Sequence, residues 1–525
     1  MFERSAIEEV YDFRDSGVFE DAANLPVILF ARDEPDAETR EDNMIRCSRV
    51  KSNISEPSQN KLDKEVVQSI REHQEEARYS DEYIDIFDYP QRKLDDQFWS
   101  LMPPEELEVF EKLNERQDST LGEVTKSISS GTQTSANKVY LVIPQDADRI
   151  DPQDEGDTVT VVPLGETKEY EIETDLLRPW LQGIDVQRWR GDWAGQHVIF
   201  PYHLEEDENG VLDPKLYQRE EMKDRFPKTW DFFKQHEDTL RGREGGRWED
   251  SKVWWEFGRP QNLEKFRLPK LINADMASNA RFMIDEDGLW HFKTPYGIYL
   301  KSDLQSNTER VACLVNSKTL DFYLKHIAPM LLGGKYRYQS RYLEELPYVD
   351  VQTGEILPRL DETVRPILES LDTQNKIERF PEAYLGDYDG ELDYVTYEWQ
   401  TRRYPVNAEI QGDVDGKFTV QAGRSDIIND PAMYSDDREM RKRRAEYVHA
   451  AVDGRNVKSG EEMTIPIPRS DDGVVELLGR LEADREEVRQ TDIDALEAEI
   501  DDAVYDLFDL TDEERVVIER YLDVF

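Results

Sequence analysis

VACLVNSKTLDFYLKHIAPMLLGGKYRYQSRYLEELPY, residues 311–348, is the stretch whose reading decides the fold. Leu314, Leu320, Phe322, Tyr323 and Ile327 recur at mixed three- and four-residue spacing. That spacing predicts an amphipathic helix over Val311–Ile327, buried on one side. The helix must end before Gly333-Gly334, where a left-handed backbone is allowed. Lys335, Tyr336, Arg337, Tyr338 and Gln339 follow, then Arg341, with no acidic residue from Met330 to Leu343. In a chain of formal net charge −49, such a run reads as a surface for an anion that carries flat rings, nucleic acid first among them.

The charge itself narrows the setting. Asp and Glu total 115 against 66 Lys and Arg, spread over all 525 residues and interleaved with 10% aromatics. A disordered acidic tail would concentrate them. The pattern suits a folded protein of a high-salt, halophilic cytoplasm, kept in solution by carboxylates. At molar salt the screening length is about 3 Å, so the net charge does not repel DNA at range. The same salt removes most non-specific phosphate affinity, leaving close base contacts and shape. An acidic interaction scaffold that avoids nucleic acid is the bland alternative. No apolar run reaches membrane-spanning length, and the N-terminus lacks a leader pattern, so a soluble cytoplasmic chain with no membrane partner is expected. Cys47 and Cys313 are too far apart in sequence to suggest a metal cluster or a disulfide framework.

The chain reads as α+β in four segments. In residues 1–50, Ile7–Phe13 and Val27–Ala31 are strands, the second a continuous apolar run typical of burial on both faces. Gly17–Ala22 is a turn, and a short strand lies around Ile45–Val50. So few strands do not make a stable sheet, and neighbours are expected from elsewhere. Residues 51–115 read as a helical linker. Residues 116–350 hold the mixed, informative section. Arg241–Lys270 carries eight Lys/Arg and five Asp/Glu among Trp248, Trp254, Trp255, Phe257 and Phe266. Residues 351–525 form an acidic section with a hairpin at Asp415-Gly416, one long or two consecutive helices from Val474 to Leu507, and a capping box at Thr511.

No catalytic or metal-binding residues stand out. A nucleotide-binding sheet needs a glycine turn between its first strand and helix, and Gly242, Gly245 and Gly246 lie in an Arg-rich loop instead. The one Pro-Pro, Met102-Pro-Pro-Glu105, lacks the flanking residues an adenine-modifying site uses to hold a flipped base. Binding is better supported. Arg reads guanine edges and Gln reads adenine, so Arg259, Gln261, Lys335, Arg337 and Gln339 are the candidate contacts, with Tyr336 and Tyr338 packing along the backbone. Gln133 and Thr134, on a glycine-led loop, read equally as DNA contacts or as a connector. Arg178 and Arg188 read equally as DNA contacts or as partners of surface acids.

Seven motifs carry a family resemblance in order: Gly131-Thr-Gln-Thr-Ser-Ala, Leu177-Arg-Pro-Trp-Leu-Gln-Gly-Ile-Asp, Trp255-Glu-Phe-Gly-Arg-Pro-Gln261, Pro269-Lys270-Leu, Leu314–Tyr323, Gly333–Gln339 and Leu346-Pro347. They resemble the TaqI-like C-terminal specificity domain of adenine-N6 DNA methyltransferases and of fused restriction-modification enzymes. Residues 1–50 resemble the last strands of the Rossmann-like methyltransferase domain that precedes it, and Asp494–Leu522 the helical tail that ends such enzymes. The family's cofactor and catalytic motifs would lie upstream of Met1. The resemblance therefore implies a target-recognition chain that grips double-stranded DNA. It would present adenine to a methyltransferase domain on another chain, which docks on residues 1–50 and holds S-adenosylmethionine. An inactive remnant of such an enzyme, and a nuclease or methyltransferase with an unrecognised site, remain open readings.

Overall fold

A computed structural model describes residues 4–14, 26–51, 64–94, 99–144, 157–206, 212–331, 333–352, 354, 356–412 and 415–525. Its contacts divide into two units, 1–364 with 498–525, and 365–497. The fold is α+β.

The first unit opens with a mixed five-stranded sheet. Its strands are β1 (Ser5–Asp12), β2 (Val27–Asp33), β3 (Met44–Val50), β4 (Arg78–Ser80) and β5 (Ile84–Pro90), in the order β2-β1-β3-β5-β4. Only β1 and β3 pair in parallel. Side chains alternate between faces along a strand, so β5 sends Phe87 and Tyr89 to one core and Ile84 and Ile86 to another. Leu107 and Phe110, on the helix Pro104–Arg116, cover the first core. Val66 and Ile70, on the helix Lys64–His73, fill the second.

Two expectations change here. Residues 51–115 are more than a helical linker, because β4 and β5 supply the missing neighbours of β1 and β3. The run Val27–Ala31 is a strand, but an edge strand: Val27 is 55% exposed and Phe30 51%. The turn expected at Gly17–Ala22 lies outside the described residues.

Arg49 of β3 ties this sheet to the rest of the unit. Its guanidinium donates to both oxygens of Glu106 at 2.8 and 2.7 Å and to Asp85 at 3.0 Å, all buried. His326 approaches the same Glu106 carboxylate at 3.1 Å and stacks on Tyr521 of the C-terminal helix.

The section that carries the candidate contacts holds a six-stranded and a four-stranded sheet. The six-stranded order is Tyr170–Glu173, Thr158–Pro163, Leu141–Pro144, His197–Ile199, Leu177–Leu181, His291–Phe292. The four-stranded order is Phe282–Asp285, Lys270–Asn273, Tyr296–Leu300, Thr125–Ser130. The expected helix Val311–Ile327 is two helices, Thr308–Asn316 and Lys318–Ile327. Ser317 makes the break: its hydroxyl accepts from Leu320 N and donates to Leu314 O, which starts the second helix. Both helices are buried nearly all round rather than on one side. Beside the second helix lies a three-stranded sheet of Met276–Ala277, Lys335–Arg337 and Met330–Leu331, where Lys325 Nζ sits 5.6 Å over the Tyr336 ring.

In the second unit, Leu392–Glu398 pairs with Glu462–Pro468, and the hairpin expected at Asp415-Gly416 joins Glu409–Gly412 to Phe418–Ala422. Trp399, Tyr447 and Leu477 lie in its core. The basic helix Arg438–Val452 turns one of its arginines inward, where Arg444 donates to the carbonyls of Ala432, Pro468 and Arg469. Two consecutive helices, Asp471–Gln490 and Ile493–Leu507, replace the single long alternative, and the Thr511 capping box forms in the first unit.

Candidate nucleic-acid interface

Strand geometry sorts the run Lys335–Gln339. Lys335–Arg337 pairs with Met276–Ala277, placing Met276 opposite Arg337 and Ala277 opposite Tyr336. Alternation then puts Lys335 and Arg337 on one face with Met276, and Tyr336 on the other. Lys335 is exposed, Arg337 and Gln339 are half-exposed, and Tyr336 and Tyr338 are fully buried. The Tyr336 hydroxyl accepts from Arg14 Nη1 at 3.2 Å, and the Tyr338 hydroxyl donates to Asp321 Oδ1 at 2.5 Å. Burial and the neighbouring Asp321 push the Tyr338 phenol well up. The expectation that both tyrosines pack along DNA is therefore corrected: they are the inner half of the strand, and they anchor it.

Gln133 and Arg259 form the second edge of the site. Their backbones exchange hydrogen bonds, Gln133 N to Arg259 O at 3.3 Å and Arg259 N to Gln133 O at 2.9 Å. Gln133 is half-exposed, and Arg259 and Gln261 are exposed. Thr134 is buried; its hydroxyl donates to Asn137 and its carbonyl accepts from Arg243. It is a structural residue, not a contact. Arg243 also donates to the carbonyls of Leu240, Trp254 and Glu256. The aromatics of the basic run 241–270 are thus core: Trp248, Trp254, Trp255, Phe257 and Phe266 are all buried.

Two glycines make this edge possible. A Cβ on Gly131 would stand 1.7 Å from Phe292 O, and one on Gly258 2.0 Å from Ser135 Oγ. Ser135, Asn262 and Thr294 are left-handed, at φ of 57°, 59° and 36°. Backbone strain of this kind collects where surrounding structure fixes a loop for a purpose.

Arg178 and Arg188 stand elsewhere. Arg178 donates to the carbonyls of Asp175 and Leu177 and lies 5.9 Å over the Phe200 ring. Burial lowers its pKa to about 10. Arg188 is half-buried and near enough to Tyr338 to act on its charge. Neither lines the cleft described next.

Between the two edges lies a cleft of about 410 Å³. Arg281, Lys293 and Lys335 line it together with Asn137, Gln182, Ser278 and Thr294, and among the described residues no acidic side chain lines it. Lys293 is half-buried, and burial first, then the charge of Arg259, lower its pKa. The charge of Glu244 acts on Lys293 in the opposite sense. Arg337 joins at the other side through Met276, which also lines it. Three cations, Arg281, Lys293 and Lys335, with four amide or hydroxyl side chains, Asn137, Gln182, Ser278 and Thr294, therefore line one concavity, in a chain where acids outnumber bases 115 to 66. Chemically this holds phosphate and offers donors and acceptors to base edges.

Residues 178–348 match the TaqI-like C-terminal specificity domain. The expected resemblance holds over this specificity region, whose match begins at Arg178, after the Gly131 loop. The chain is also 26% identical over 282 residues to the type II methyltransferase M.BstVI of Geobacillus stearothermophilus. That alignment covers 53% of this chain and 43% of the methyltransferase, so the chain spans less than half the length of that relative.

Sequence reasoning missed Arg281 and Lys293 in the specificity region, which lie in separate segments and meet only through the sheets. Gln182 stood inside a quoted motif, Leu177–Asp185, and was passed over for the arginines beside it. In the N-terminal sheet the parallel pair β1–β3 is flanked by antiparallel neighbours, unlike the successive parallel strands on which a doubly wound cofactor site is built.

Proposed function

We propose that this chain recognises a specific double-stranded DNA site on behalf of an adenine-N6 DNA methyltransferase of a restriction-modification system. The observation that carries the reading is the cationic cleft, with no acidic side chain in its lining among the described residues, formed mostly by a region that matches a specificity domain. Lys335, Lys293 and Arg281 hold phosphate, Arg337 and Arg259 reach base edges or phosphate, and Gln133, Gln261 and Gln339 supply amide contacts. The buried tyrosines fix the strand beneath them.

The methyl-transferring domain, with its S-adenosylmethionine, is a partner in this reading. It docks on the N-terminal sheet, whose edge strand β2 leaves Val27, Ile28 and Phe30 exposed and has no strand beside it among the described residues. Exposed edges of this kind accept another strand. The setting is a high-salt cytoplasm, and no described helix is long and apolar enough to cross a membrane.

The test is direct. The full chain is mixed with a pool of duplexes of randomised core, and bound DNA is recovered and sequenced. One enriched motif is the expected result. Its loss in the double variant Lys293→Ala, Lys335→Ala ties it to the cleft. An unenriched pool would remove the reading.

A further inference from the structure

Of the apolar side chains that line the cationic cleft, Trp180 and Ala277 are buried and two are exposed, without a part in its electrostatics. Ile184 is 78% exposed and Met276 45%, and both line the cleft. Single exposed apolar residues are ordinary on protein surfaces. These two are set apart by how they are held and by what surrounds them.

Ile184 stands at the tip of a tight turn between two buried anchors, Leu181 and Val186. The buried Asp185 carboxylate accepts from Gln182 N at 2.7 Å, and Asp185 N donates back to Gln182 O at 3.1 Å. The Gln187 amide donates to Ile184 O at 3.0 Å. A Cβ on Gly183 would stand 3.1 Å from Thr294 Oγ1, so the turn packs close against the strained Thr294 loop. The turn is therefore fixed, and it holds out an isoleucine. Met276 is held likewise, in a two-residue strand paired to Lys335–Arg337.

A rigid apolar tip among phosphate-binding cations meets little use if the ligand offers only charge. Base edges in the major groove offer one apolar feature, the 5-methyl group of thymine. Apolar contact is also the part of DNA affinity that salt does not screen. We propose that Ile184 and Met276 are specificity-determining residues that contact thymine methyl groups at the recognised site. The proposal rests on the DNA-recognition reading above and adds to it the chemistry that these two side chains read.

The test uses the full chain and the duplex it selects from the randomised pool. Each thymine of that duplex is replaced in turn by deoxyuridine, which removes one methyl group and nothing else. Wild type should lose about fourfold in affinity at one or two positions, the worth of one buried methyl group. Ile184→Ala or Met276→Ala should bind the unmodified duplex more weakly and lose sensitivity to deoxyuridine at its own position. Both side chains are exposed enough that these variants keep the fold. The proposal is overturned if wild type ignores every replacement, or if both variants keep its full sensitivity. If no duplex is selected at all, the DNA-recognition reading itself falls, and this inference with it.

Discussion

Arg337 reaches the outer face of its strand already paired: its Nη1 donates to Asp275 Oδ2 at 3.0 Å. Asp275 is nearly buried, while the Arg337 side chain keeps 32% of its surface exposed. The carboxylate thus aims the guanidinium and leaves part of its donor fork outward. A guanidinium held in one orientation discriminates base edges, whereas a free one settles on any phosphate.

Asp275→Asn keeps the shape and removes the charge. The variant should bind a random-sequence duplex as well as wild type or better, while its preference for the selected duplex falls about tenfold. The two affinities, measured side by side, give the ratio. An unchanged ratio would show that Asp275 does not aim the arginine.

The cleft lysines act on phosphate and leave a different signature. Lys335→Ala and Lys293→Ala should each weaken binding to all duplexes and lower the slope of log affinity against log salt by about 1. Affinity measured over a salt series reads this. Slopes equal to wild type would place both lysines off the DNA.

Tyr336 separates a buried anchor from a surface contact. Tyr336→Phe removes the acceptor for Arg14 and should cost about 1–3 kcal/mol of stability, seen as a lower Tm. DNA affinity below the melting range should stay as in wild type. A large loss of affinity without a change in Tm would return Tyr336 to the surface.

Gly258→Ala has nowhere to put its methyl group, because the side chain of Ser135 occupies the space. Overpacking of this kind costs about 1–3 kcal/mol. The Gln133–Arg259 edge should then open, visible as faster hydrogen exchange at the amides of these two residues. Gly258→Ala combined with Ser135→Gly should restore protection.

The buried Glu106 makes stability depend on pH. Burial opposes its charge, but Arg49, and then His326, outweigh burial and hold the carboxyl far below its usual range. A carboxyl with a depressed folded-state pKa adds stability that is fully present above its unfolded pKa, about 4.3, and is lost as the pH falls below it. Glu106→Gln should cost about 3–5 kcal/mol near neutrality and flatten the acid side of the stability curve. Denaturant unfolding followed from neutral pH downward checks both.

Several of these features were legible in the sequence. The alternation Lys335-Tyr336-Arg337-Tyr338 already carries the two-residue period of a half-buried strand. Composition alone reads all five residues of the run as outward-facing; the period turns the tyrosines inward. Ser317 stands as a helix cap inside what looks like one continuous helix. Other features had no local signal. The run Val27–Ala31 has the same apolar content whether a strand lies at the centre of a sheet or at its edge, because neighbours decide its burial. Lys293 and Arg281 enter the cleft through pairings between distant segments. The aromatics of 241–270 are buried by contacts their spacing does not specify, and Arg243 is a staple because four carbonyls converge on it.

The central claim is specific recognition of duplex DNA by the cleft. Its most direct measurement is the affinity of the full chain, in molar salt, for the duplex enriched from a randomised pool and for the same duplex scrambled. The account predicts one enriched motif, bound at least about 10³-fold more tightly than the scrambled sequence. Absence of any motif, or equal affinity for both duplexes, would contradict it.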